Sequence, residues 1–415
     1  MRVNRLALED FRGVRKLELL FPTDVTVLAG INGAGKSTVL DALATMLWRV
    51  GGLLQDKHRE RRPLQANDVR NGASESLFMI ETSGRLGKLD WGLRATRTLS
   101  RVSKRWQAQA LTVAMSALQR ELQIDPTNSI PFAVYYRTNR AVLDIPLRIR
   151  KRHSFNQFAA FDEALDGSWS SFRLFFEWFR EREDFENQER ARAKHFVDPQ
   201  LRAVRDALAE LVPGFGDLRV QRQPLRMTVQ KGGAELDVGQ LSDGEKCLVA
   251  MVSDLARRLA LANPASPDPL MGGAIVLIDE IELHLHPQWQ RMVIPSLQRT
   301  FPNCQFIVTT HSPQVLGSQK AEGVRLLTTT DKGIEALLPS ASYGRDSNQI
   351  LLELMGTPDR PRGVRDDLNR LFHYLDVGDL VLARSLRRDL EQRIGPGEPE
   401  FVRADILLRR REAQK

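Results

Sequence analysis

Cysteine is nearly missing from this chain, which holds only Cys247 and Cys304 in 415 residues. Two isolated thiols build no disulfide framework, and without a Cys-x-x-Cys pair they build no thiolate zinc site. Long apolar runs are also missing. The longest, such as Ala274 to Ile278, fall well short of the roughly 20 residues that cross a bilayer. The N-terminus lacks a charged-then-apolar leader, so a cytoplasmic protein without membrane contact is expected. Histidine is scarce at seven, and His373 is the only one after His311, which leaves no material for a His-Asn-His metal fold in the C-terminal part. The charged, aromatic-rich stretch from 144 to 216 looks helical but lacks the sustained heptads of a long coiled-coil arm.

What is present is enough apolar side chain, 42% of the total, to fill a substantial core, and the length suggests two or three domains. The net charge of +8 is unevenly spread, because residues 1–150 carry 24 Lys and Arg against 14 Asp and Glu. Basic clusters lie at 57–62, 94–105 and 148–152. Such a surface attracts polyanions, nucleic acid among them, although solvated helix faces give the same pattern.

Along the chain, alternating apolar residues from 2 to 29 read as strands with a turn at Arg12-Gly13, and residues 38–50 read as a helix. Between them stands G-I-N-G-A-G-K-S-T at 30–38, which satisfies G-x-x-x-x-G-K-[ST] in the strand–loop–helix setting that the chemistry requires. Its glycines let backbone N–H groups turn towards a phosphate, and the helix start adds positive potential. Gly30, Asn32, Gly33, Ala34, Gly35, Lys36, Ser37 and Thr38 are the expected nucleotide contacts. Lys36 would reach the terminal phosphates of ATP, and Ser37 would ligate Mg²⁺.

Strands are also expected around a turn at 84–87, at 132–136, at 218–220, 225–230 and 234–238, at 274–278 and at 305–309, with helices at 106–123 and 244–261. The apolar strand Ala274 to Ile278 delivers Asp279 and Glu280 at its C-terminal end, where ligands of parallel sheets bind. Asp279 suits the Mg²⁺ shell, and Glu280 suits the general base that polarises the attacking water. His284 and His286 follow two apart, a spacing compatible with a metal pair, but no third ligand is evident nearby.

The run L-S-D-G-E-K at 241–246 opens a predicted helix. Read alone it is a capped helix start, with Ser242 as N-cap and Glu245 closing a capping box. It also resembles the signature of the ABC ATPases, in the branch that includes RecF, Rad50 and the structural-maintenance-of-chromosomes heads. That resemblance implies an α/β fold, an ABC ATPase head of mixed β-sheet plus a parallel RecA-like core. It further implies that Ser242, Gly244 and Glu245 meet nucleotide held by the opposite protomer of a homodimer or higher homo-oligomer, and that His311 in V-T-T-H-S-P is the switch histidine sensing the γ-phosphate. The family's Q-loop glutamine has no secure match; Asn67 and Asp68, with Gln65 close by, are the best candidates.

Flanking blocks at 135–140, 178–183, 343–348 and 354–358 resemble the compact ATPases of anti-phage defence loci represented by PtuA of the Septu system. This implies a separately encoded HNH nuclease partner of the PtuB kind. A RecF-like repair ATPase loading directly on DNA is the alternative. A transporter subunit fits poorly, as no apolar coupling surface is apparent. The expected organisation is an N-terminal ATPase lobe at 1–143, a helical insertion at 144–216, a C-terminal ATPase lobe at 217–340 and a helical tail at 341–415. In the tail, Val364, Leu368, Leu371, Phe372, Leu375, Leu380, Leu382, Leu386 and Leu390 recur at helical spacing. Either partner docking or simple capping would use such helices.

Overall fold

The computed structural model describes residues 1–22, 24–56, 64–98, 101–138, 155–166, 171–330, 333–358 and 360–413. The basic clusters expected at 57–62 and 148–152 lie outside the described residues. The chain divides into two compact units, Met1–Arg345 and Asp346–Lys415.

The first unit is built on three sheets. Strands β1 (Arg2–Phe11), β2 (Val14–Leu20), β3 (Val25–Ala29), β4 (Glu75–Gly84), β5 (Gly87–Thr98), β6 (Arg101–Gln107) and β7 (Phe132–Tyr136) occupy the N-terminal part. Strands β8 (Phe215–Arg222), β9 (Leu225–Lys231), β10 (Ala234–Asp237), β11 (Ala274–Ile278), β12 (Gln305–Thr310), β13 (Val324–Thr330) and β14 (Gly333–Leu337) follow. An antiparallel sheet runs β2-β1-β4-β5-β6, a small one β10-β9-β8, and the central sheet β14-β13-β3-β12-β11-β7. In the central sheet every pairing is parallel except that of β13 with β14. Its strands β3, β7, β11 and β12 are buried along their whole length, which explains why they read as unbroken apolar runs and not as alternating ones.

Helices α1 (Lys36–Leu54), α2 (Gln109–Ile124), α3 (Ser171–Arg190), α4 (Pro199–Leu211), α5 (Asp243–Ala262), α6 (Pro287–Thr300) and α7 (Pro313–Gly317) complete this unit. α5 is buried at nearly every position from Cys247 to Ala262, including Asp254, Arg257 and Arg258. α3 buries Phe172, Phe175, Phe176, Trp178 and Phe179, so this part of the aromatic stretch is packed helix. Two expectations are corrected. Trp106 belongs to β6 and the helix starts only at Gln109, because Trp106 pairs across the sheet with Leu93. Strands β13 and β14, which were not read from the sequence, extend the sheet beyond the phosphate-loop strand.

The second unit holds α8 (Ser347–Glu353), α9 (Arg362–Val377), α10 (Leu380–Ile394) and α11 (Pro399–Glu412). Gly378 ends α9 in the left-handed conformation, with φ 81°, a C-cap role that glycine fills without steric cost. Leu368, Leu371, Leu375, Ala383, Leu390, Phe401, Ala404 and Leu408 form its core, with Val364, Phe372, Leu380 and Leu386 packed at the edge. Leu382, one of the apolar positions at helical spacing, is 47% exposed, because it lies in the first turn of α10 on the face away from that core.

Candidate functional site

In the central sheet β3, β12 and β11 are neighbours, and all run in one direction. Ala29 pairs with Thr310 and Ile278 with Val308, so the loops leaving the three strands emerge on one ledge. The phosphate loop at 30–38, the Asp279-Glu280 pair and His311 are brought together although the loop is more than two hundred residues from the other two in sequence. This is the edge where parallel sheets place ligands.

The phosphate loop wraps from β3 into α1. Gly30 sits at φ 148° with the Leu327 carbonyl only 2.3 Å from where a Cβ would stand, so no side chain fits there. Gly33 and Gly35 also have positive φ, and Gly35 is the N-cap of α1. Ala34 and Lys36 are buried, while Asn32, Gly33 and Ser37 face solvent and Thr38 is half-buried. The Lys36 ammonium donates to the carbonyls of Gly30 at 2.8 Å and Ile31 at 3.0 Å. Burial lowers its pKa below the usual lysine range, against the opposing pull of Asp279, Glu280 and Glu282.

Ser37 Oγ donates to Asp279 Oδ1 at 3.1 Å. A hydroxyl and a carboxylate oxygen converging beside a phosphate loop suit the oxygen-only coordination of Mg²⁺, which keeps much of its water. Asp279 is further held by Thr309, whose hydroxyl donates to Oδ1 at 2.6 Å and accepts from the Glu280 N–H at 2.7 Å. Glu280 adopts φ 47°, a left-handed conformation rare for non-glycine residues and a mark of functional sites when the surroundings hold it. The backbone bond from Ile281 to the Thr309 carbonyl, 3.0 Å, supplies part of that hold.

The signature run behaves as a helix cap. The Ser242 N–H donates to Glu245 Oε2 at 3.0 Å and Ser242 Oγ accepts from the Glu245 N–H at 3.5 Å, while Lys231 pairs with Glu245 at 2.6 Å. Ser242 and Asp243 are exposed, but Gly244 is buried. A Cβ on Gly244 would stand 2.3 Å from the His284 carbonyl, so glycine is required here for a close approach within one chain. His284 itself is at φ 62°. His286 is the N-cap of α6, with Nδ1 accepting from the Gln288 N–H at 3.3 Å, and among the described residues no group of three metal-ligating side chains exists. His286 thus caps α6, and His284 lies in the loop that precedes it.

Of the Q-loop candidates, Asp68 accepts from Arg12 Nε at 2.8 Å and from the Gln65 N–H at 2.8 Å; Asn67 is exposed. Arg12 also bonds Asp41 of α1 at 2.6 Å, and Arg137 pairs with the same carboxylate.

Three groups lie in runs that the sequence singles out but received no role there. Thr309 and Thr310 end β12 and turn to opposite sides, and Glu282 meets Thr310. Tyr136, whose carbonyl accepts from the Asp279 N–H at 2.8 Å, sends its hydroxyl to Asp254 of α5 at 3.0 Å. The signals for the first two were adjacent threonines at a strand end and a glutamate two places after the carboxylate pair, in the run I-E-L-H-L-H-P at 281–287.

Comparison with known proteins agrees with this arrangement. The chain is 30% identical to the "Retron Ec83 probable ATPase" of Escherichia coli, over 99% of this chain and 87% of that protein. It is 22% identical to the "Septu protein PtuA" of Bacillus thuringiensis, over 85% of this chain and 84% of that one. Among solved structures it is similar in fold to the SmcHead bound to the C-winged helix domain of ScpA, with 17% identity, a TM-score of 0.50 and coverage of 82% of this chain and 98% of the other. Residues 25–317 match the family described as "AAA domain, putative AbiEii toxin, Type IV TA system". The chain belongs to that family, as an ABC-type ATPase with an SMC-like head.

Proposed function

We propose that this ATPase works in an anti-phage defence system, closing as a dimer on ATP and thereby controlling a separately encoded HNH nuclease. The observation that carries the reading is the split between two half-sites. The phosphate loop, carboxylate pair and His311 share one ledge, whereas the N-terminus of α5 at Ser242 is exposed and its capping bonds are made within its own turn. An exposed helix N-terminus with a serine cap is a ready acceptor for a phosphate presented from another copy. The similarity to the Septu and retron ATPases supports the defence role; the nuclease partner is what the resemblance of the flanking blocks to the Septu group implies.

In this reading Gly30, Asn32, Gly33, Ala34, Gly35 and Thr38 line the polyphosphate, and Lys36 leaves its loop carbonyls for the β- and γ-phosphates. Ser37 and Asp279 hold Mg²⁺, which supplies charge neutralisation when bound. Glu280 orients and deprotonates the attacking water, with His311 near the γ-phosphate. Ser242, Gly244 and Glu245 complete the site of the partner.

A complementation experiment tests the trans arrangement. Lys36→Ala and Ser242→Arg proteins are each expected to be inactive in ATP hydrolysis, but their mixture retains one intact composite site and should recover activity. A mixture as inactive as its components would reject assembly in trans. Co-purification with an HNH nuclease encoded beside this gene tests the partner.

A second reading, direct contact with nucleic acid, is favoured by β6. On this sheet-edge strand Arg101 and Arg105 are exposed, and Arg105 stands opposite Arg94 of β5. Stimulation of ATP hydrolysis by DNA with the isolated chain would support it.

A further inference from the structure

The loop after the carboxylate pair carries a third acid. Glu282 is half-buried, and its two oxygens are used separately. Oε2 accepts from the Thr310 hydroxyl at 2.8 Å, and Oε1 accepts from the His311 backbone N–H at 2.5 Å. Thr310 Oγ1 in turn accepts from the Ser312 N–H at 3.0 Å. A single side chain therefore grips the last residue of β12 and the peptide that precedes the His311 ring. The loop supplying it is itself constrained: the N–H of Leu283 bonds the Glu280 carbonyl, and that of Leu285 bonds the Glu282 carbonyl, each at 2.9 Å.

Two consecutive hydroxyls thus divide the work at the end of β12. Thr309 serves Asp279 and Glu280; Thr310 serves Glu282. The loop 281–286 also touches the signature helix, since the His284 carbonyl packs against Gly244.

We propose that Glu282 is the positioning residue for His311, locking its backbone to the loop 281–286 so that the ring is placed for the terminal phosphate and moves only when that loop moves. This rests on the reading of His311 as the phosphate sensor. The role needs hydrogen-bond geometry and not charge. In a glutamine at this position the amide oxygen can accept from the His311 N–H, and the amide NH₂ can donate to Thr310 Oγ1. An alanine loses both bonds and leaves a peptide N–H without its partner, and a misplacement of about 1 Å at a reacting group costs on the order of 100-fold in rate.

Steady-state ATP hydrolysis by the full-length chain separates the outcomes. Glu282→Ala should lower kcat by about 30- to 100-fold with KM for ATP within about threefold, and Glu282→Gln should restore kcat to within about threefold of the parent. Glu282→Ala combined with His311→Ala should be no slower than His311→Ala alone, because the two residues act as one unit. Equal damage from glutamine and alanine would overturn the proposal in favour of a charge effect, and so would an additive double variant. Should Glu282→Ala fold poorly by thermal melting, Thr310→Val removes one of the two bonds, and a parental kcat for it would also count against the proposal. If His311→Ala itself hydrolyses ATP at the parental rate, the reading of His311 fails instead, independently of Glu282.

Discussion

The two units differ in how deeply they bury paired charges. In Met1–Arg345 charges run through the interior: Asp254, Arg257 and Arg258 are each 1% exposed, one carboxylate taking Arg257 at 2.8 Å and Arg258 at 2.7 Å. The Tyr136 hydroxyl completes the cluster, and Arg258 also donates to the Ala160 carbonyl at 2.7 Å. In Asp346–Lys415 the packed cluster is made of apolar side chains, the buried Asp367 beside it pairs with the more exposed Arg370 and Arg393, and ion pairs such as Arg384–Glu412 and Arg387–Asp405 bridge helices at the rim. Replacing buried ion pairs by apolar side chains often costs nothing or stabilises. The buried cluster is therefore poorly explained as a stability device, and its position is informative. It joins the signature helix to the strand end that hydrogen-bonds Asp279. The apolar cluster of the second unit holds α9, α10 and α11 together.

The sharpest way to break this comparison is to remove the shared carboxylate. Asp254→Asn leaves two buried guanidinium groups without a counter-charge and should destabilise the first unit by about 3–5 kcal/mol, read as a shift of its urea midpoint. Burial alone would raise the Asp254 carboxyl, but Arg258 and Arg257 outweigh it and hold the group below the usual carboxylate range. A depressed value means that the stabilisation is present above the ordinary aspartate pKa of about 3.9 and is lost as pH falls towards the folded value. The parent should thus lose stability more steeply than the variant in that acid window.

Leu371→Ala should have a somewhat smaller effect of another kind. Leu371 is fully buried in the apolar core of the second unit, so a cost of about 2–4 kcal/mol is expected. Hydrogen exchange should show it in α9, α10 and α11, with ATP hydrolysis unchanged. Lost hydrolysis would contradict the separation of roles drawn above.

Arg384→Ala should have the smallest effect. Its side chain is 60% exposed and that of Glu412 38%, and exposed pairs contribute about 0–1 kcal/mol. A melting temperature within a few degrees of the parent is expected; a large fall would mean that the rim pairs, and not the leucines, hold the bundle.

Much of the site was legible because its parts are short contiguous motifs with a strand or helix attached. The glycine loop before α1, the carboxylates after β11 and the histidine after β12 each announce themselves by apolar run and punctuation. Leu382 shows where spacing stops being informative: it gives a stripe, but only the neighbours decide how wide a stripe they cover. Trp106 was placed in a helix because an aromatic residue before a periodic run looks like its first turn, whereas cross-strand pairing with Leu93 claimed it.

Sequence by itself determined the class of chemistry, since phosphate cradling needs glycines, a lysine and a helix start within nine consecutive positions, and local order is all that such a motif requires. Tertiary structure alone decided which groups hold the others in place. Thr309 reaches Asp279, Thr310 reaches Glu282 and Tyr136 reaches Asp254 across 30, 28 and 118 positions of chain. Gly244 is required by a carbonyl that belongs to another loop. Such contacts leave no periodic trace, because a hydrogen bond between distant segments depends on strand order and register, and these are set by the packing of the whole sheet rather than by the residues that make the bond.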